Sequence, residues 1–242
     1  LKQYRPSNLK AYEAYLKGVS LFFRRTRPDS IAARELFEEA VALDPNFAQA
    51  YRSMGFAYLD EIWFRTTKTP EKSIEQAEMA AQKCIDLTPD LPPPHGLLSM
   101  ISVMKKDYDN AVVHAEKAVE IGPNDPGSYF SLCYALRFAG QYEEAIKAQE
   151  TSFRLSPLRP LTWVNNLAWA YTGNEQYDKG IPLFLEIIQR NPDDFFAFQG
   201  LKVSYELSGN HEKALWAAEN MMRVNPSFSI AAAEKGVLSK DD

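Results

Sequence analysis

The sequence is poor in the residues that most often announce chemistry. Of 242 residues, two are cysteine and three are histidine. Cys84 and Cys133 stand 49 positions apart, which builds neither a disulfide framework nor a zinc knuckle. His95, His114 and His211 are scattered, with no His-Glu-x-x-His spacing, and no glycine-rich loop ends in Gly-Lys-Ser or Gly-Lys-Thr to cradle a phosphate. No stretch of about 18 apolar residues is present, so no segment reads as membrane-spanning. Basic residues number 27 against 32 acidic, a net charge of −5, and without a basic excess nucleic acid is not expected as a partner. Catalytic residues, cofactors and metal ligands are accordingly expected to be none. The chain begins with Leu1 rather than Met, and Leu1 to Lys10 is polar rather than an apolar signal segment. It reads as a piece of a longer protein, with a cytoplasmic location expected.

What is present is a core-forming composition, 45% hydrophobic and 24% charged, carrying a strict rhythm. A helix-like run ends in a small or polar residue before proline at Pro45, Pro89, Pro123, Pro157, Pro192 and Pro226, at intervals of 44, 34, 34, 35 and 34. Proline cannot continue a helix and pushes its predecessor out of the α region, so each one punctuates a helix end. A fixed period near 34 marks a repeated helical hairpin. Asn46, Asp90, Asn124 and Asp193, directly after four of these prolines, are expected to cap the next helix.

A second rhythm runs inside each unit. Twelve positions before each proline stand Ala33, Ala77, Ala111, Ala145, Gly180 and Ala214. Five positions before stand Ala40, Cys84, Ala118, Ser152, Ile187 and Met221; twenty-four before stand Ser99, Cys133, Ala168 and Lys202, with Gly200 close to the last. Antiparallel helices approach closely only where side chains are small, so these registers predict crossing points. Both cysteines fall on them and read as packing residues.

This pattern resembles the tetratricopeptide repeat. The second unit carries it as Tyr51, Met54-Gly55, Tyr58, Ala77, Cys84 and Pro89; the fourth as Tyr129, Leu132-Cys133, Gly140, Tyr142, Ala145 and Pro157; the sixth as Phe198, Leu201, Tyr205, Gly209, Ala214 and Pro226. The resemblance implies an all-α fold, a right-handed α-α superhelix of about six helical hairpins plus a C-terminal capping helix. One solenoid domain, 1–242, is expected, with repeats at about 11–47, 48–91, 92–125, 126–160, 161–194 and 195–226 and the capping helix at about 227–238, carrying Phe228, Ile230 and Ala231.

Two units are longer than the pattern. Gly18 to Ala33 spans 15 positions and Gly55 to Ala77 spans 22, where 12 are expected. Both excesses fall between the paired helices of one repeat. The first puts Arg24, Arg25 and Arg27 at a turn. The second lets a helix run on through Glu61-Ile62-Trp63-Phe64 before Thr69-Pro70 restarts the chain as N-cap and first helical residue. Acidic pairs such as Glu38-Glu39 and Glu143-Glu144 read as solvated faces.

In tetratricopeptide arrays the first helix of each unit lines a concave groove. Carried onto this sequence, that implies fifth positions at Tyr15, Arg52, Gly96, Phe130, Asn165 and Gln199. The ninth are Val19, Phe56, Met100, Tyr134, Trp169 and Val203, and the twelfth Phe22, Leu59, Val103, Arg137, Thr172 and Glu206. The expected peptide-groove residues are Tyr15, Arg52, Phe56, Met100, Phe130, Tyr134, Arg137, Asn165, Trp169 and Gln199. Aromatics would anchor a partner while Arg, Asn and Gln pair with its backbone or carboxylates. For Phe56 and Tyr134, packing onto neighbouring repeats is an equally open reading. The Lys/Asn/Arg set with which some chaperone-binding members hold a C-terminal carboxylate is not reproduced.

The opening Pro6-Ser7-Asn8-Leu9-Lys10-Ala11-Tyr12-Glu13-Ala14-Tyr15, with its Arg-rich turn, is similar to the repeat regions of bacterial class III adenylate or guanylate cyclases and of some transcriptional regulators. The implied function is a non-catalytic scaffold binding a protein or peptide, as a regulatory part of a larger bacterial signalling protein. The alternative is a homo-oligomerising sensory tail controlling an attached cyclase or transcription-regulator domain, with edges such as Trp63-Phe64 pairing across a two-fold axis.

Overall fold

The computed structural model describes residues 7–24, 26–64 and 66–225. They form twelve α-helices and, among the described residues, no strand. The helices are α1 (Leu9–Phe22), α2 (Arg27–Leu43), α3 (Ala48–Trp63), α4 (Pro70–Leu87), α5 (Pro92–Met104), α6 (Tyr108–Ile121), α7 (Pro126–Phe138), α8 (Tyr142–Leu155), α9 (Leu161–Gly173), α10 (Tyr177–Arg190), α11 (Phe195–Leu207) and α12 (His211–Val224). The expected capping helix and Pro226, like Arg25 of the basic turn, lie outside the described residues.

The prolines end helices as expected: α2, α4, α6, α8 and α10 each stop two residues before one. The residues beyond them behave differently from the expectation. Asn46, Asp90, Asn124 and Asp193 cap no helix. They sit inside a tight turn closed from Phe47 N–H to the Asp44 carbonyl at 3.0 Å, with the same bond at Leu91–Thr88, Asp125–Gly122 and Asp194–Asn191. The turn uses two residues after the implied helix end, so the N-caps fall at Phe47, Leu91, Asp125 and Asp194. Of these, Asp125 and Asp194 carry side-chain caps, accepting from the backbone N–H of Ser128 and Ala197. Thr69 is the N-cap of α4 and Pro70 its first residue, but the Thr69 side chain makes no capping bond.

The chain divides into two compact units, Leu1–Ala139 and Gly140–Asp242. In the first, α1–α2, α3–α4 and α5–α6 pack as antiparallel hairpins, α7 packs on α6, and first helices also meet, α3 with α5 and α5 with α7. In the second, α9–α10 and α11–α12 are hairpins, α8 packs on α9, and α9 meets α11. Side-by-side first helices thus form one face within each unit.

The small-residue registers are where the helices cross. Ala33, Ala77, Ala111 and Ala145 are wholly buried, as are Ala40, Ala118, Ser152, Ser99, Cys133 and Ala168. Lys202 is exposed and Gly200 buried in its place. In the second unit Ile187 and Met221 fill the register held by Ala40, Cys84, Ala118 and Ser152 in the earlier repeats, and there the core is built on Phe184, Phe198 and Leu201.

Candidate functional site

In the first unit the expected groove residues divide into two groups. Tyr15 joins the core of the first hairpin, its ring 4.9 Å from Phe47 and 6.0 Å from Phe37. Phe56, Phe130 and Tyr134 are half-buried around a cluster of Leu59, Ala77, Ala81, Leu97, Met100 and Ile101. Met100 is 5% exposed and belongs to the core rather than to an open groove, a correction to its expected place. Its register points between α5 and its neighbours because the first helices pack so closely. Leu59 and Val103, of the twelfth-position row, are buried as well. Arg52 is half-buried. Arg137 lies over two rings, 5.4 Å from that of Tyr134 and 4.2 Å from that of Phe138, a cation–π arrangement at the edge of the cluster.

Trp63, half-buried, joins this site. The extra turn of α3 carries it onto the same cluster, where it packs partly buried. Burial pushes the Tyr134 phenol up to about 12, against the lowering effects of the nearby Arg137 and Trp63 side chains. The signal was present in the spacing: Trp63 stands four residues after Leu59 and seven after Phe56, on one helical face.

In the second unit Asn165 and Trp169 lie one turn apart on α9, and Gln199 is half-buried on α11. The Trp169 ring meets Phe184 edge-on at 5.7 Å, with part of its surface left open. The Asn165 Nδ2 donor is buried without a hydrogen-bond partner. An orphaned amide of this kind costs on the order of 1–3 kcal/mol unless something supplies an acceptor.

One polar cluster escaped the sequence reading. Glu38 is not a solvated acid: it pairs with Arg34 at 2.6 Å and accepts a 2.6 Å hydrogen bond from the Tyr58 hydroxyl. Arg34 Nε also lies 2.7 Å from Glu61 Oε1, while Ser73 donates to Glu61 Oε2 at 2.8 Å. Burial and then the Glu38 bond push the Tyr58 phenol up to about 12. Arg34, Tyr58, Glu61 and Ser73, with Thr67, Thr69, Lys72 and Gln76, line a cleft of about 380 Å³ beside the long α3–α4 loop. Three consecutive helices, α2, α3 and α4, and the α3–α4 loop meet there, which no single helix pattern announces.

The cysteines and two of the histidines lie inside the helical packing. Cys84 and Cys133 are free and buried, and burial pushes both thiols up, Cys133 to about 12. His95 and His114 stack at 6.4 Å between α5 and α6. Among the described residues no three His, Cys, Asp or Glu gather in a metal-holding group, and no helix there is long and apolar enough to cross a membrane.

Hairpins of this length, crossing at small residues, match solved structures across nearly the whole chain. A subunit of the anaphase-promoting-complex hetero-tetramer Cut9–Hcn1 superposes with a TM-score of 0.68 over 93% of this chain and 45% of its own, at 16% identity. The tetratricopeptide protein TTC0263 of Thermus thermophilus superposes with a TM-score of 0.63 over 85% of this chain and 99% of its own, also at 16% identity. The chain has the fold of tetratricopeptide-repeat proteins.

Residues 104–187 match the family model of anaphase-promoting complex, cyclosome, subunit 3. Among curated relatives, superkiller protein 3 of Schizosaccharomyces pombe is 27% identical over 61% of this chain and 13% of its own length. The transcriptional regulator HilA of Salmonella typhimurium is 24% identical over 83% of this chain and 36% of its own. The chain therefore spans about a third or less of the length of these curated relatives. YrrB, described as a tetratricopeptide protein with an unusual peptide-binding site, superposes with a TM-score of 0.51 at 18% identity, over 83% of this chain and 98% of its own. The expected similarity to cyclase-linked repeats is not borne out.

Proposed function

We propose that this tetratricopeptide protein is a non-catalytic, cytoplasmic scaffold that binds an extended segment of a protein partner on its first-helix faces. Its two units are read as consecutive parts of one array, with the six repeats placed as the proline spacing sets them. The observation that carries the reading is the α9 face: a partly open Trp169 one turn from an Asn165 amide whose donor lacks an acceptor. An apolar anchor beside an unsatisfied backbone-type donor suits a peptide, which offers side chains and carbonyls together. Gln199 on α11, and Arg52, Phe56, Phe130, Tyr134 and Arg137 in the first unit, are assigned the same kind of role. Peptide binding by YrrB, a protein of the same fold, is consistent with this. The likeness to HilA favours a place beside a transcription-regulator domain in a larger bacterial protein over a cyclase.

The test is a phage-displayed library of random dodecapeptides selected on the immobilised chain, followed by titration of the enriched peptides. Trp169→Ala and Asn165→Ala, each checked for native helicity, are expected to weaken binding about tenfold or more, the loss of roughly 1.4 kcal/mol or more. Unchanged affinity in both variants defeats the reading.

A further inference from the structure

We propose that the outer face of α1 is a self-association surface, on which a second copy of this chain lays its own α1, antiparallel, across a two-fold axis at Leu16. The inference is independent of the peptide-binding reading, because it uses the side of α1 opposite its packed one. Helix α1 is apolar on both sides. Ala11, Ala14 and Gly18 are buried on the side that packs in the α1–α2 hairpin. Leu9, Tyr12, Leu16 and Phe23 stand on the other side, at steps of three, four and seven residues that keep to one helical stripe. They are 72%, 40%, 47% and 75% exposed. Tyr12 stacks on Tyr15 of its own helix at 6.4 Å and Phe23 meets Phe22 edge-on at 6.1 Å, contacts that leave the stripe open. A single exposed leucine needs no explanation, but four large apolar side chains in one continuous stripe mark a contact surface. A helix apolar all round is one that is buried on both sides.

The charges beside the stripe select the occupant. Glu13 and Lys17 lie one turn apart on the same flank of it, both exposed, and among the described residues neither forms an ion pair. In an antiparallel pair with Leu16 of both copies at the axis, Leu9 faces the partner's Phe23, and Tyr12 faces the partner's Ser20, large against small. A two-fold axis perpendicular to both helices keeps like flanks on the same side of the pair. Glu13 then comes within a turn of the partner's Lys17, and Lys17 within a turn of the partner's Glu13, so the surface is complementary to itself. In a parallel pair the flanks would cross over, and Glu13 would meet the side that carries Asn8, Tyr15 and Val19, which offers no cation. A standard interface uses about 20–30 residues a side. This stripe with its flank offers fewer, so the dimer is expected to be weak, with a dissociation constant on the order of 10–100 μM.

The experiment is sedimentation equilibrium of the full chain over concentrations that span that constant. The expected result is a reversible monomer–dimer equilibrium with nothing larger. Leu16→Glu puts a charge at the axis on an exposed helical position, and is expected to weaken association about tenfold or more with native helicity by circular dichroism. Glu13→Lys sets a like charge against the partner's Lys17 and is expected to weaken it about fivefold at low salt. Glu13→Lys combined with Lys17→Glu is expected to restore the wild-type affinity, which unspecific stickiness of the apolar stripe would not do. If Leu16→Glu is not native by circular dichroism, the charge-reversal pair decides the matter. A chain that stays monomeric throughout overturns the proposal, and so does a dimer that Leu16→Glu leaves unchanged. Growth beyond the dimer also overturns it, being the mark of a head-to-tail contact such as α1 against the exposed Leu215, Trp216 and Met222 of α12 in another copy. A double variant that associates no better than Glu13→Lys overturns the antiparallel register.

Discussion

The ring of Phe184 on α10 occupies the space that a side chain at Gly200 on α11 would need. Phe184 is wholly buried, so it has nowhere to retreat. Alanine in place of a mid-helix glycine would by itself gain about 1 kcal/mol of helix propensity, while overpacking a closed core costs about 1–3 kcal/mol. The clash wins: Gly200→Ala is expected to lower stability by about 1 kcal/mol or more, measured by urea titration of helicity.

The turns inside the hairpins offer the opposite change. Gly140 and Gly209 adopt left-handed backbone at φ 78° and 79°, and the same register is held by Lys106 at 61° and Glu175 at 59°. At Glu175 the turn closes through Gln176 N–H to the Tyr171 carbonyl, as Asn210 does to Tyr205 beside Gly209. A side chain in that region costs about 1–2 kcal/mol, partly offset by the flexibility glycine brings to the unfolded chain. Lys106→Gly and Glu175→Gly should each raise the melting temperature, by the equivalent of about 0.5–1 kcal/mol. A fall in both would show that the turn is not strained.

His95 and His114 give the first unit an acid sensitivity. Burial lowers both below the ordinary 6.5; at His95 the neighbouring His114 and Lys117 add to this, and at His114 Asp107 opposes it. A histidine whose folded value is depressed takes its proton more readily when unfolded. Stability therefore declines as pH falls through 6.5 and levels off below the folded values. The melting temperature should drop between pH 7 and 5, and the double variant His95→Gln, His114→Gln should flatten that part of the curve.

The Arg34 cluster is expected to matter more than a surface ion pair. Side chains of Arg34 and Glu61 are 20% and 13% exposed, so removing Glu61 leaves a largely desolvated guanidinium with Glu38 at 2.6 Å and Glu35 at 3.9 Å as its remaining acids. Glu61→Ala should cost about 1–3 kcal/mol and Tyr58→Phe about 1 kcal/mol. Amide hydrogen exchange in 66–73 should accelerate in Glu61→Ala, because Ser73 loses its acceptor there. Exchange as slow as in the wild type would mean the loop is held without it.

Much of the fold could be read from the chain because its rules are local. Proline ends a helix wherever it stands, and a small residue at a fixed distance before it sets where two helices touch; Ala33, Ala77, Ala111 and Ala145 are buried for that reason. Local rules failed by small offsets, as at Asn46 and Asp193, where the turn after proline consumed the residues expected to cap. The candidate site was legible as a set of registers. Phe56 and Tyr134 stood on the expected face, but whether that face was open depended on what else reached it.

Sequence alone determined the helices, their lengths, their pairing and the positions where backbones approach, because each follows from steric and hydrogen-bonding preferences acting within some forty residues. Tertiary structure decided the placement of Trp63 on the core cluster of α3 and α5, the burial of Met100, the orphaned amide of Asn165 and the assembly of Arg34, Glu38, Tyr58, Glu61 and Ser73. Those depend on how neighbouring hairpins tilt against one another, and that tilt is set by the summed packing of many side chains rather than by any one stretch of chain.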